Sequence, residues 1–433
     1  MKKILYLVLA AAALVFTACD NEQEDIFGES SANRVDAAIL SNQEVLCGAE
    51  NGWVMRYFPG DPSKWGGYNM LIKFEKDGSL AVSNELAASD TIVYSSYSVK
   101  QSGGVMLSFD TYNILFHVFS DPSAPLLGQE GTGMEGDYDF SILHATADKI
   151  ILKGRSQGTY AELTPLPAGQ SWEDYLEGIK AVHKSMESLS YTFAVNGKEY
   201  RAKTSNRCLQ VTIPVEGSAV DEVKTFPFVY TDKGISFYSP ATVDGVSING
   251  FNNSDNLIFS DVDDKGVELR VNILPLNRIF TEYMWFCSYD KMGKYGQKSW
   301  MYFGQGLEKI GDNLYYAFMG FYKNRFGFHF ASHAADGIMY AGGLNFEYTL
   351  IGENKVKMKF ARSGYESGVW YHENAKMDYA LLPFGYQDAK TFTISVDNQK
   401  LPRELILTDM VDRSNVITLS YSVAYFPFMV AEK

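Results

Sequence analysis

His329 and His333 stand four residues apart in Phe328-His329-Phe330-Ala331-Ser332-His333, with Asp336 close behind. On a helix that spacing would aim both imidazoles at one metal ion. The zinc-protease pattern also needs a glutamate directly after the first histidine, where Phe330 stands. Aromatic alternation makes the segment a strand instead, and residues four apart on a strand lie about 13 Å from each other at ~3.3 Å per residue, too far for one ion. Asp261-Val262-Asp263-Asp264-Lys265-Gly266 has the alternating carboxylates that open a calcium loop. Lys265 breaks the pattern and Asn272 stands where a bidentate glutamate belongs, so a hairpin turn is the better reading. No metal and no cofactor are expected.

Nucleophilic chemistry has even less support. No Gly-x-Ser-x-Gly elbow occurs, no cysteine sits in a nucleophile signature, and the six histidines show no acid/base setting. With 52 aspartates and glutamates, some pair must fall at glycosidase spacing, so abundance predicts nothing. No catalytic residue is assigned, and the chain is not expected to be an enzyme. The stronger candidates bind rather than react: Trp65 and Tyr68 in Lys64-Trp65-Gly66-Gly67-Tyr68, and Trp370 and Tyr371 in Gly368-Val369-Trp370-Tyr371-His372. Glycine neighbours let a ring project from a loop toward a ligand. The same ring can fold back and plug the end of a barrel. A flat ring also stacks on the apolar face of a sugar, which makes a glycan one expected ligand and a peptide the other.

The amino terminus carries an address. Met1-Lys2-Lys3 precedes an apolar run from Ile4 to Phe16, then Thr17-Ala18-Cys19 and the acidic stretch Asp20-Asn21-Glu22-Gln23-Glu24-Asp25. Two lysines, a short apolar core and small residues before a cysteine make a lipoprotein signal, removed so that the mature chain begins at lipid-modified Cys19. The apolar run is shorter than the ~20 residues a bilayer span needs. Membrane attachment through lipid on Cys19 is therefore expected. The formal charge of −14 becomes −16 once Lys2 and Lys3 leave with the signal. Such acidity, without a basic stripe, disfavours nucleic acid as a partner.

The elements that must position these side chains read mainly as strands. Tyr and Phe number 28 each, a strand-favouring composition. After an acidic tether (19–32) and a short helix from Asn33 to Cys47, about nine strand patterns follow one another between Trp53 and Leu163. They include Asn113 to Phe119 and a hairpin at Asp77-Gly78. This unit, 33–167, reads as an antiparallel barrel or sandwich. Ser171 caps a helical pattern through Trp172, Leu176, Ile179, Val182 and Met186, a linking helix within 168–190. Strands resume from Tyr191, among them Trp300 to Phe303 and Met377 to Leu382, giving a second antiparallel β region, 191–433, with a division into 191–275 and 276–433 left open. Residues 137–154 and 344–360 share a pattern that fits either two related barrels or any amphipathic hairpin. Once Cys19 carries lipid, Cys47, Cys208 and Cys287 remain, as one disulfide plus a thiol or as three thiols.

Gly52-Trp53 through Phe74-Glu75-Lys76-Asp77-Gly78, with Tyr97-Ser98-Val99, Leu107 to Asn113 and Gly136 to Phe140, resembles a family of Bacteroidetes lipoproteins known as domain of unknown function 4302. The likeness is sharpest between Gly52 and Leu166 and extends over most of the mature chain. It implies an all-β protein with a lipocalin-like first unit and an outer-membrane lipoprotein, encoded near nutrient-uptake or surface-assembly genes. The acidic run after Cys19 likewise resembles a surface-export signal, or serves as a solvated spacer. The expectation is a non-catalytic binding component of an uptake complex facing the cell exterior. A structural or adhesive surface lipoprotein is the alternative and a hydrolase the third.

Overall fold

The computed structural model describes residues 31–123, 127–334 and 336–422; Cys19, the signal segment 1–18 and the start of the acidic tether lie outside them. Three eight-stranded antiparallel sheets follow one another, each pairing its strands in sequence order. Strands β1 to β8 are Trp53–Phe58, Tyr68–Phe74, Ser79–Asn84, Val93–Gln101, Val105–Phe109, Asp139–Ala145, Ile150–Gly154 and Tyr160–Pro165. The first barrel closes where β1 pairs β8. Strands β9 to β16 are Tyr191–Val195, Lys198–Ser205, Cys208–Ile213, Glu222–Tyr230, Gly234–Val243, Val246–Asn253, Ile258–Asp261 and Glu268–Val271, closed by β16 on β9. Strands β17 to β24 are Met284–Phe286, Asn313–Tyr322, Arg325–His333, Met339–Ile351, Lys355–Glu366, Lys390–Val396, Glu404–Asp409 and Val416–Ser420. Phe286 opposite Ser420 closes this third sheet. The all-β class and the antiparallel barrel followed by a further antiparallel β region are as the sequence implies.

Local chemistry explains the turns. Asn196 and Gly197, at φ +52° and +71°, supply the two left-handed residues of a tight hairpin between β9 and β10. In the β2–β3 hairpin, Gly78 sits at φ +86° and the Asp77 carboxylate accepts from the Ser79 N–H at 2.9 Å. Full closure then leaves few free strand edges.

The barrel lumens are cores rather than chambers. Trp53, Met55, Tyr57, Met70, Phe74, Phe109 and Phe140 fill the first, each at most 3% exposed. Alternation along β1 is the reason: one face of a strand in a small barrel points inward, and here that face carries large rings.

Helices cover and link the barrels: α1 Ser31–Leu46, α2 Pro62–Trp65, α3 Ile114–His117, α4 Trp172–Ser185, α5 Leu276–Glu282, α6 Lys294–Ile310, α7 Gly368–Asn374 and α8 Met377–Leu381. In α4, Ser171 Oγ accepts from the Asp174 N–H at 3.0 Å. Its buried face (Tyr175, Leu176, Ile179, Val182) packs between Val54 and Leu71 of the first barrel and the core of the second.

Three segments that read as strands are helical. Asn113 caps α3 by accepting from the Leu115 N–H at 3.0 Å, and α3 then lays Phe116 on Phe109 at 3.9 Å, plugging the barrel. Trp300 to Phe303 lies within α6, whose buried residues Trp300, Phe303 and Leu307 mark a helical face longer than the four residues that read as strand. Met377 to Leu382 is largely α8, which receives the Trp300 Nε1–H at the Ala380 carbonyl, 3.2 Å away.

The paired pattern at 137–154 and 344–360 occupies different places: β6–β7 are the sixth and seventh strands of the first barrel, β20–β21 the fourth and fifth of the third. Amphipathic hairpins account for it. Cys47, Cys208 and Cys287 are free thiols, and burial pushes the Cys208 thiol up to about 11.

Candidate functional site

The two tryptophan segments lie in different settings. Trp65 ends α2, a single turn capped by the Asp61 carboxylate, and is half-buried against the first core. Gly66 admits the second barrel, since a Cβ there, at φ +65°, would lie 2.4 Å from Arg207 Cβ, and Gly67 makes room for its own barrel, since a Cβ there would lie 2.5 Å from the Phe58 ring of β1. The Gly67 N–H donates to the Phe228 carbonyl at 2.9 Å, and the Phe228 N–H to the Arg207 carbonyl at 2.9 Å.

Arg207 seals this junction. Its Nη1 donates to the Gly67 carbonyl at 2.8 Å and to Glu85 Oε1 at 2.9 Å, while its guanidinium lies 3.9 Å over the Tyr68 ring. Glu85 Oε1 also accepts from the Asn69 N–H at 2.6 Å, and Asn69 Nδ2 donates to the Tyr230 carbonyl at 2.8 Å. Burial works against the Arg207 charge, and Glu85 with Tyr68 and Tyr230 overrides it, holding the guanidinium above its ordinary pKa. Tyr68, 7% exposed, thus has its ring face occupied by protein.

Trp370 is 52% exposed on α7 and lines a cavity of about 390 Å³ with Asp312, Asp336, Tyr340 and Tyr371. Glycines again permit the approach, here of a helix to its own barrel. A Cβ on Gly368 would lie 2.3 Å from the Gly343 carbonyl, and one on Gly342 would lie 2.3 Å from the Gly368 nitrogen. Tyr371, 2% exposed, packs its ring 5.0 Å from Phe330 and donates its hydroxyl to Asp312 Oδ2. Burial first, then this bond to a carboxylate, pushes the Tyr371 phenol pKa upward, so the group stays protonated.

Asp312 follows Gly311, the left-handed cap of α6 at φ +80°, and leads into β18. It is 8% exposed and, among the described residues, has no cationic side chain in ion-pair range; Ser332 Oγ lies 3.5 Å away. Asp336 sits in the β19–β20 turn, where one oxygen accepts from the Ile338 N–H at 2.9 Å. The site therefore offers an exposed indole, the Tyr340 ring and two carboxylates that accept hydrogen bonds.

The remaining motifs are structural. His329 is 1% exposed in β19; Nε2–H donates to the Gly320 carbonyl at 3.2 Å, and Nδ1 receives the Tyr365 hydroxyl at 2.9 Å. Burial lowers its pKa to about 4. Both ring nitrogens are engaged, and no group of three metal-ligating side chains occurs among the described residues. Asp261 accepts from the N–H groups of Asp263, Lys265 and Val267 at 2.8 to 3.0 Å, which closes the β15–β16 hairpin.

Sequence reading named Trp370 and Tyr371 but missed Asp312 and Tyr340, and it weighed Asp336 only beside the histidines. The available signal for Asp312 was Gly311 as a helix cap, hidden once Trp300 to Phe303 read as strand.

No curated protein matches the chain. Among solved structures, DNA polymerase III subunit beta from Pseudomonas aeruginosa aligns at 10% identity and TM-score 0.13, over 89% of this chain and 97% of that one. The beta subunit from DNA polymerase of Streptococcus pyogenes gives 10% and 0.12, over 90% and 98%. Kievitone hydratase from Nectria haematococca gives 7% and 0.10, over 87% and 89%. At such TM-scores these likenesses carry no argument. A family model fits residues 23–255, so the family likeness spans the first barrel and most of the second and stops short of the Trp370 cavity. Because that match takes in more than half of the sequence, the chain belongs to the family described as Domain of unknown function (DUF4302).

Proposed function

We propose that this protein is a lipid-anchored, non-catalytic binding component at the outer face of the outer membrane, serving a nutrient-uptake complex by holding a glycan at the Trp370 cavity. The supporting observation is the exposed Trp370 indole beside Asp312 and Asp336 in a cavity of about 390 Å³. An indole covers the apolar face of a sugar ring, while carboxylates, acceptors without donors, suit its hydroxyls. A peptide is less well served, because closed barrels offer few edges for strand addition. The anchor rests on Cys19 and its preceding residues; among the described residues no helix is long and apolar enough to cross a membrane.

A glycan array probed with wild-type protein and Trp370→Ala tests this reading. Binding by the wild type and its loss in the variant support it, and a blank array with intact fold contradicts it. Two carboxylates lining one cavity are also the minimum equipment of a glycoside hydrolase, a second reading. Release of reducing ends from a bound glycan would favour hydrolysis over binding. Replacing Cys19 with alanine should free the protein from membranes, and retention would contradict the anchor.

A further inference from the structure

We infer that the glycan is acidic, and that a second subsite on the opposite side of α7 takes a carboxylate-bearing sugar unit through Arg362; this rests on the glycan-binding reading above. Successive helical residues turn by about 100°, so Val369, His372 and Glu373 point away from Trp370 and Tyr371. They line a separate cavity of about 660 Å³, shared with Phe360, Arg362 and Tyr386. Its wall is aromatic: Phe360 and Tyr386 stack at 5.5 Å and 17°, and His372 Nε2 is 3.1 Å from the Tyr386 hydroxyl.

Arg362 is placed there by an interruption of the sheet. Pairing between β20 and β21 shifts register between Leu344 and Phe346, and Arg362 adopts φ +52°, a left-handed conformation that a non-glycine residue takes only where its surroundings impose it. Bulges of this kind re-aim a side chain out of the ladder. Among the described residues no carboxylate lies within ion-pair distance of Arg362, whereas Arg207 and Arg278 each have one and Arg270 has two.

An exposed guanidinium without a partner, beside a stacked aromatic wall, fits one carboxylate on one ring. The guanidinium fork meets the carboxylate bidentately, and the wall covers the apolar face of the sugar. Glu373 on the same cavity accepts hydroxyl donors and repels a dianion, which argues against phosphate. The ligand class is therefore an oligosaccharide that places a neutral unit at Trp370, beside Asp312 and Asp336, and a single uronic acid at Arg362.

Calorimetry with detergent-solubilised full-length protein, titrated with a xylo-oligosaccharide bearing one glucuronic acid and with its neutral methyl ester, tests this subsite. The acid should bind about tenfold more tightly at low salt, with the preference fading as salt rises. Arg362→Ala and Arg362→Gln should erase that preference by lowering acid affinity to the level of the ester; circular dichroism confirms their fold. Equal affinity for acid and ester, or a preference that survives both variants, overturns the acidic subsite alone. Absence of binding by either sugar, with array binding also absent, overturns the glycan reading as well.

Discussion

At Trp65 the neighbouring Gly66 admits a second barrel, which covers the segment; at Trp370 neighbouring glycines admit a short helix onto its own barrel, which leaves the indole in solvent. The two segments match in makeup, each a tryptophan and a tyrosine beside glycine. Their difference comes from partners distant in sequence: Arg207 and Phe228 close over Gly66-Gly67, and Gly343 sits beneath Gly368. Glycine next to an aromatic therefore marks a close approach without saying what approaches.

The largest expected effect lies at the covered segment. Arg207→Ala leaves Glu85 buried without its cation and should lower stability by ~3–5 kcal/mol in urea denaturation. An unchanged midpoint would dissolve the contrast between the two regions.

Next in size is a pH effect in the third barrel. His329 has a folded pKa of about 4, against an ordinary value near 6.5. Below pH 6.5 the unfolded chain takes up a proton that the folded one refuses, so the contribution is complete above pH 6.5 and lost as pH falls toward 4. Wild type should lose on the order of 3 kcal/mol more than His329→Gln between pH 7 and pH 4, and parallel curves would contradict a neutral, buried imidazole.

Smaller effects compare the tryptophans directly. Trp65→Ala, removing a half-buried ring at the junction, should cost ~1–3 kcal/mol. Trp370→Ala should change stability by less than ~0.5 kcal/mol, as exposed substitutions do. Equal costs at the two positions would mean that the rings share one environment.

Much of the fold was legible because strand alternation and Asp-Gly or Asn-Gly turns act over a few residues. Asp77-Gly78 and Asn196-Gly197 both form hairpins, and Ser171 caps α4. What escaped is decided at longer range. Trp300-Met301-Tyr302-Phe303 is a short apolar, aromatic-rich run that fits a strand within four residues, but Gly293 and Gly311 bound a helix of 17. Asn113 to Phe119 is apolar enough for a strand, and the barrel end that it plugs selects a helical turn instead. The cavity depends on the α6–β18 connection, the β19–β20 turn and α7, three places with no sequence link to one another. Trp370 was legible from its own neighbours, whereas Asp312 and Arg362 gain their settings only through folding.

The most direct measurement is glycan affinity of wild type, Trp65→Ala and Trp370→Ala by calorimetry under one condition. The account predicts that Trp370→Ala weakens binding by about tenfold or more while Trp65→Ala matches wild type, since truncating a binding anchor costs more than 1.4 kcal/mol. Loss of affinity in Trp65→Ala with full retention in Trp370→Ala would contradict it.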